Sequence, residues 1–224
     1  MSARRGPAAA RISEPTVRRL SHYYRVLLEV EAEGKRLISS HRLAEREGIT
    51  SAQVRKDLSC FGSFGRRGLG YDVAHLREEI RAILGLDRRW KVALIGAGNV
   101  GAALVLYPGF AAQGFDIVAA FDNDPERIGR TIDGLIVRPL GQLSAKDGFE
   151  IGVIATPAGA AQAVADALVA AGVQGILNFA PRKLRVPEAV TVRAVDMTME
   201  FESLSYALTH ARVTGPRRRR RATR

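Results

Sequence analysis

A two-part α/β chain, with a small helical unit ahead of a doubly wound parallel sheet, is predicted by three observations. The segment Gly96-Ala97-Gly98-Asn99-Val100-Gly101 follows an apolar run at residues 92–95 and precedes a helix-forming stretch at 102–106. Beyond it, apolar runs at 116–121, 151–155 and 175–179 alternate with helical segments, the pattern of parallel strands joined by crossover helices. Before it, residues 1–90 carry a net charge of +7, whereas residues 91–211 carry −3, so the two halves differ in character.

The 224 residues, 46 % hydrophobic and 25 % charged, suit a globular chain able to bury one large or two small cores. No apolar run approaches the roughly 18 residues that span a bilayer, so no membrane partner is expected. Cys60 is the single cysteine, which excludes an intrachain disulfide and fits a reducing, cytoplasmic setting. Residues 1–13 lack the apolar core of a secretory signal and read as a disordered leader. Residues 213–224 read as a basic disordered tail that includes Arg217 to Arg221. The overall charge of +11 favours a polyanionic partner, although it rests on 29 arginines against only 5 lysines.

Residues 14–86 are expected to form a winged helix. Ser13-Glu14-Pro15 supplies a cap and an early proline, after which Val17, Leu20, Tyr24 and Leu27 recur at helical spacing. A short second helix from about Ser40 turns Leu43 and Ala44 inward and stops at Gly48. After the break at Ile49, Thr50 caps a third helix with Val54, Leu58 and Phe61 on one side. Two short helices across so tight a break resemble a helix-turn-helix. Ser51, Gln53, Arg55 and Lys56 would then face a major groove. The glycine-bounded run 64–71 contains Arg66 and Arg67 and suits a hairpin wing that enters or skirts a minor groove. Asp72 caps a fourth helix carrying Leu76, Ile80, Ile83 and Leu84.

Residues 90–198 are expected to bind a dinucleotide in a Rossmann-type sheet. In the glycine loop the first glycine permits the turn, the second admits the pyrophosphate and the third lets helix and strand pack closely. Ala97, Asn99 and Val100 complete that loop. Asp122 ends the second strand 21 residues past Gly101, where a carboxylate accepts from the adenosine ribose and repels a 2′-phosphate, so NAD(H) is the expected ligand. Thr156-Pro157 and Asn178-Phe179 fall just after strand ends and should line the nicotinamide side. Residues 91–211 hold no cysteine, and their only histidine, His210, lies in the last helix. Lys91, Lys146 and Lys183 fall away from the crevice, which leaves Tyr107 as the one proton donor. No metal site is expected. The loop therefore reads as built to bind a dinucleotide without turning it over. The rival readings are an NAD-dependent oxidoreductase with an appended helical domain, or a CoA-binding ligase fragment.

The segments Val54-Arg55-Lys56-Asp57-Leu58-Ser59, Gly68-Leu69-Gly70-Tyr71, Tyr107-Pro108-Gly109-Phe110, Phe121-Asp122-Asn123-Asp124-Pro125 and Gly175-Ile176-Leu177-Asn178-Phe179-Ala180-Pro181 closely match a known pattern. Over nearly its whole length the chain resembles the bacterial redox-sensing transcriptional repressors of the Rex family. The resemblance implies a homodimer on palindromic operator DNA, released when NADH rather than NAD+ binds. It implies a swapped C-terminal helix at 199–212, where Phe201, Leu204, Leu208 and Ala211 form an apolar stripe. It also implies that Tyr107 and Asp196 meet across the dimer, with Arg25 joined to the same network.

Overall fold

A computed structural model describes residues 12–66 and 68–211, and the chain divides into two compact units between Arg88 and Arg89. The leader through residue 11, Arg67 and the tail from residue 212 lie outside the described residues.

The first unit opens with α1 (Glu14–Ala32), whose N-cap Ser13 accepts a hydrogen bond from the Thr16 amide. Its buried face is Leu20, Tyr23, Leu27 and Val30, while Val17 is 40 % exposed and Tyr24 only partly buried. The stripe is thus offset from the spacing expected above. The reason is chemical: Tyr23 enters the core because a buried carboxylate, Asp57, receives its hydroxyl, and apolar periodicity cannot register that partner. A two-residue strand, β1 (Leu37–Ile38), precedes α2 (Ser40–Glu47), which Ser39 caps and Gly48 ends in the left-handed region. Thr50 then caps α3 (Ser51–Ser59).

Strands β2 (Gly65–Arg66) and β3 (Gly70–Asp72) form an antiparallel hairpin, and β1 joins it in the order β1-β3-β2. Residue 70 must be glycine for two reasons. Its φ is +86°, and a β-carbon there would lie 2.5 Å from the Ile38 carbonyl oxygen. Asp72 caps α4 (Val73–Ile83), accepting from the His75 amide at 2.8 Å. Leu20, Leu27, Leu43, Val54, Leu76 and Ile80 are fully buried and make one core, so each helix contributes an anchor.

The second unit holds β4 (Trp90–Ile95), α5 (Asn99–Leu106), α6 (Pro108–Ala112), β5 (Phe115–Asp122), β6 (Thr131–Ile132), β7 (Leu135–Pro139), β8 (Ile151–Ile154), α7 (Ala161–Ala170), β9 (Gly175–Asn178), β10 (Thr191–Ala194) and α8 (Met197–Ala211). The seven strands run β10-β9-β8-β4-β5-β7-β6, all parallel except the edge strand β6. Three of these strands escape the apolar-run reading. β6 is too short, β10 is mostly exposed, and β7 is announced only by Asp133-Gly134, a two-residue hairpin turn with both φ values positive. One sheet face packs Ala93, Ile95, Phe121 and Ile154 against Leu168 of α7; the other packs Leu94, Ala120 and Val153 against Leu104 of α5. Chain order reverses at β4, with β5 on one side and β8 on the other, and such a switch point opens a crevice at the strands' carboxyl ends. Among the described residues no helix is long and apolar enough to cross a membrane.

Candidate functional site

The crevice is floored by the glycine loop. Gly96 adopts φ +100°, and a β-carbon on it would come within 2.6 Å of the Ala155 carbonyl oxygen at the end of β8. At Gly101 the same atom would overlap the Gly96 carbonyl oxygen, so α5 leaves the strand as closely as a helix can. Gly98 is the N-cap of α5 and offers no side-chain cap. The first-turn amides of α5, including Asn99 and Val100, are therefore unprovided for by the cap and suit an anion.

Asp122 holds this loop. Its Oδ2 accepts from the Ala97 amide at 2.7 Å and from Arg127 Nη1 at 3.3 Å. Its Oδ1 accepts from the amides of Asn123 at 2.7 Å and Asp124 at 2.9 Å. Burial opposes the charge, but the Asp124 and Ala97 amides, Arg127 and the Asn123 amide outweigh it, and the carboxyl stays below its usual range. With four donors on two oxygens, Asp122 is first a clamp on the loop.

Thr156 and Pro157 sit at the end of β8 as expected. Thr156 Oγ1 is buried with no hydrogen-bond partner, and Thr156 Cγ2 lies beside Gly96. Buried hydroxyls are seldom left without a protein, water or ligand partner, so this one is open to an incoming donor or acceptor. Asn178 requires a correction. It is 1 % exposed, donates to the Ala180 and Arg182 carbonyls and accepts from the Ala180 amide, so its side chain braces a turn and does not line the crevice. The sequence places it at a strand end but cannot show which way an amide spends its bonds. Phe179 is half-buried and packs on the α5 side of the sheet.

Tyr107 links α5 to α6, is 57 % exposed and packs edge-on against Phe110 at 5.0 Å between centroids. Asp196 Oδ1 accepts from the Thr198 amide at 2.9 Å and so begins α8. Arg25 lies on the exposed side of α1. A cavity of 330 Å³ over the sheet is lined by Leu104, Phe110, Phe115, Ile117 and Leu177, among others. On α8, Phe201, Leu204, Tyr206 and Leu208 are all exposed.

In the first unit, α3 exposes Arg55 and Lys56, with Ser51 and Gln53 half-buried. Arg66 stands exposed on the hairpin, and Arg67 lies outside the described residues. Arg55 Nη1 donates to Ser40 Oγ at 3.1 Å, joining α3 to the start of α2 beside a groove that Ser59, Phe64, Arg66 and Tyr71 also line.

Sequence reasoning passed over Asp57. It is 1 % exposed on the inner side of α3 and accepts from Arg19 Nε at 2.6 Å, Arg19 Nη2 at 2.7 Å, Tyr23 Oη at 2.8 Å and Gln53 Nε2 at 2.8 Å. Burial raises its carboxyl, yet the bonds from Arg19, Tyr23 and Gln53 prevail and hold it below the usual range. Burial and the bond to Asp57 push the Tyr23 hydroxyl up. The available signal was a charge set between Val54 and Leu58 on an apolar face.

The family model described as "CoA binding domain" matches residues 87–182, and that described as "Putative DNA-binding protein N-terminus" matches residues 11–59. The redox-sensing transcriptional repressor Rex of Carboxydothermus hydrogenoformans is 48 % identical over 199 residues, covering 88 % of this chain and 96 % of that protein. Its counterpart in Streptomyces coelicolor is 48 % identical over 198 residues, covering 87 % and 77 %. A crystal structure of RSP, a Rex-family repressor, in complex with beta-NAD+ and operator DNA superposes with a TM-score of 0.86 at 36 % identity, covering 90 % of this chain and 94 % of the other. RSP in complex with beta-NADH gives 0.83 at 34 % identity, covering 91 % and 97 %.

Proposed function

The chain belongs to the Rex family of redox-sensing transcriptional repressors, and from that premise we propose that it binds operator DNA and lets it go when NADH fills the cradle. It is a regulator and not an enzyme. The observation that carries the reading is the glycine cradle with its uncapped helix and orphaned Thr156 hydroxyl, in one chain with a helix-turn-helix and basic hairpin. The first-turn amides of α5 would hold the pyrophosphate, Asp122 the adenosine ribose once Arg127 yields, and Thr156, Pro157 and Phe179 the nicotinamide side.

Oxidised nicotinamide carries a positive charge and the reduced ring does not, so an apolar wall near Phe179 favours NADH by the cost of burying charge. Each tenfold preference requires about 1.4 kcal/mol. Only a difference in affinity between two conformations shifts their populations.

On DNA, Ser51, Arg55 and Lys56 would approach the major groove, with Arg66 on the wing. A homodimer supplies the two-fold symmetry that a palindromic operator mirrors. The apolar face of α8 would be covered by a second copy, as in a helix swap, which brings Tyr107, Asp196 and Arg25 into one network across the dimer. A cytoplasmic location fits this role. The test is direct. A duplex enriched from a random pool by the full-length protein is bound and challenged with NADH and with NAD+. Release by NADH alone supports the proposal; release by neither, or by both equally, overturns it.

A further inference from the structure

We infer that Gln53 is a base-reading residue for adenine, and that Asp57 is the positioning residue that fixes its amide for that task. The inference rests on the DNA-binding reading above and adds to it the identity of one base.

A glutamine amide carries two N–H donors and a carbonyl acceptor, and its two faces are otherwise interchangeable. Here Nε2 donates to Asp57 Oδ1 at 2.8 Å. Asp57 is ionised, because Arg19 grips it with two nitrogens and Tyr23 donates to it as well. An ionised carboxylate only accepts, so the nitrogen of Gln53 must face it and the amide cannot flip. One N–H is spent in this way. A single N–H and Oε1 remain, side by side, as one donor and one acceptor.

The four bases answer that pair differently. In the major groove adenine offers an N7 acceptor next to an N6 donor, which matches it. Guanine offers two acceptors, N7 and O6, and would need the donor already given to Asp57. Cytosine and thymine each present one polar group to such a contact. The placement also suits reading. Gln53 lies in the first turn of α3, the end that reaches base edges in helix-turn-helix proteins. At 3.6 residues per turn it stands roughly 60° around the helix from the exposed Lys56, on the border of the exposed face. It is half-buried on that border. Asp57 itself is too deeply buried to touch DNA. Its part is confined to orientation.

The experiment uses the full-length protein and a duplex that it enriches from a random pool. Each adenine in a half-site is replaced in turn by 7-deazaadenine, which lacks the N7 acceptor, and affinity is measured for the wild type and for Gln53→Ala. At one adenine per half-site the wild type should lose about tenfold in affinity, about 1.4 kcal/mol. Gln53→Ala should bind the unmodified duplex about tenfold more weakly and be indifferent to the replacement at that position alone. Asp57→Asn, whose side chain accepts either amide orientation, should bind adenine and guanine duplexes more nearly alike. If Asp57→Asn fails to fold, the comparison of wild type and Gln53→Ala decides the matter. Equal responses of wild type and Gln53→Ala at every adenine overturn the inference while leaving DNA binding intact. Failure to enrich any duplex overturns the DNA-binding reading and the inference with it.

Discussion

Replacing Asp122 by alanine removes the acceptor for three backbone amides, those of Ala97, Asn123 and Asp124, and for the Arg127 guanidinium. The site is only 8 % exposed, so water restores these bonds incompletely. At about 1 kcal/mol for each stranded amide the loss is roughly 3 kcal/mol. With a urea slope of about 2 kcal/mol/M, the unfolding midpoint should fall by roughly 1.5 M. Trp90, the single tryptophan, begins β4 and is aligned with Phe115 of β5, so its fluorescence reports on this unit. Asp122→Asn keeps one carbonyl for part of the set but turns an amide nitrogen toward other donors, and should lie between. The acid limb provides a second check. Because the folded-state carboxyl is held below its usual range, its stabilisation is complete above the unfolded value, about 3.9, and is lost as pH falls through the folded value. The asparagine variant lacks that portion of the acid limb. NADH affinity should drop at least about tenfold as the loop loosens, a change of about 1.4 kcal/mol. A midpoint within about 0.2 M of wild type, about 0.4 kcal/mol at that slope, would refute the clamp.

Gly101→Ala places a methyl group on the Gly96 carbonyl oxygen; titration should show NADH binding abolished, while the enriched duplex is still bound. Tyr23→Phe deletes one of four donors to a buried carboxylate, and calorimetry should show about 1.5–3 kcal/mol less stability, the range for a hydrogen bond to a charged group. Leu204→Asp charges the exposed apolar face of α8; light scattering should show a monomer if that face meets a second copy, and an unchanged dimer would remove α8 from the interface.

The parts of the fold written in short-range chemistry were legible in the sequence. Ser13, Thr50 and Asp72 announce their helices because a capping side chain acts within three residues. The glycine loop is legible because close backbone approach leaves no other residue possible at positions 96 and 101. What was missed depends on where polar side chains place their hydrogen bonds, which apolar periodicity does not record. Asp57 drew no reading because Arg19, the partner that closes on it, lies 38 residues away. Asn178 and Asp122 were placed at the right strand ends, but their bonds go to the chain itself, which spacing does not encode. The two aspartates do similar work: each fills its acceptor sites with the chain's own donors and thereby fixes a loop or a helix that presents other groups.

The central claim is that nucleotide and DNA compete through one conformational equilibrium, and thermodynamic linkage gives its most direct test. NADH affinity is measured on the free protein and on the protein saturated with the enriched duplex, alongside duplex affinity with and without NADH. Under such competition the duplex weakens NADH by the same factor by which NADH weakens the duplex, with NAD+ showing a much smaller factor. An NADH affinity unchanged by bound duplex would contradict it.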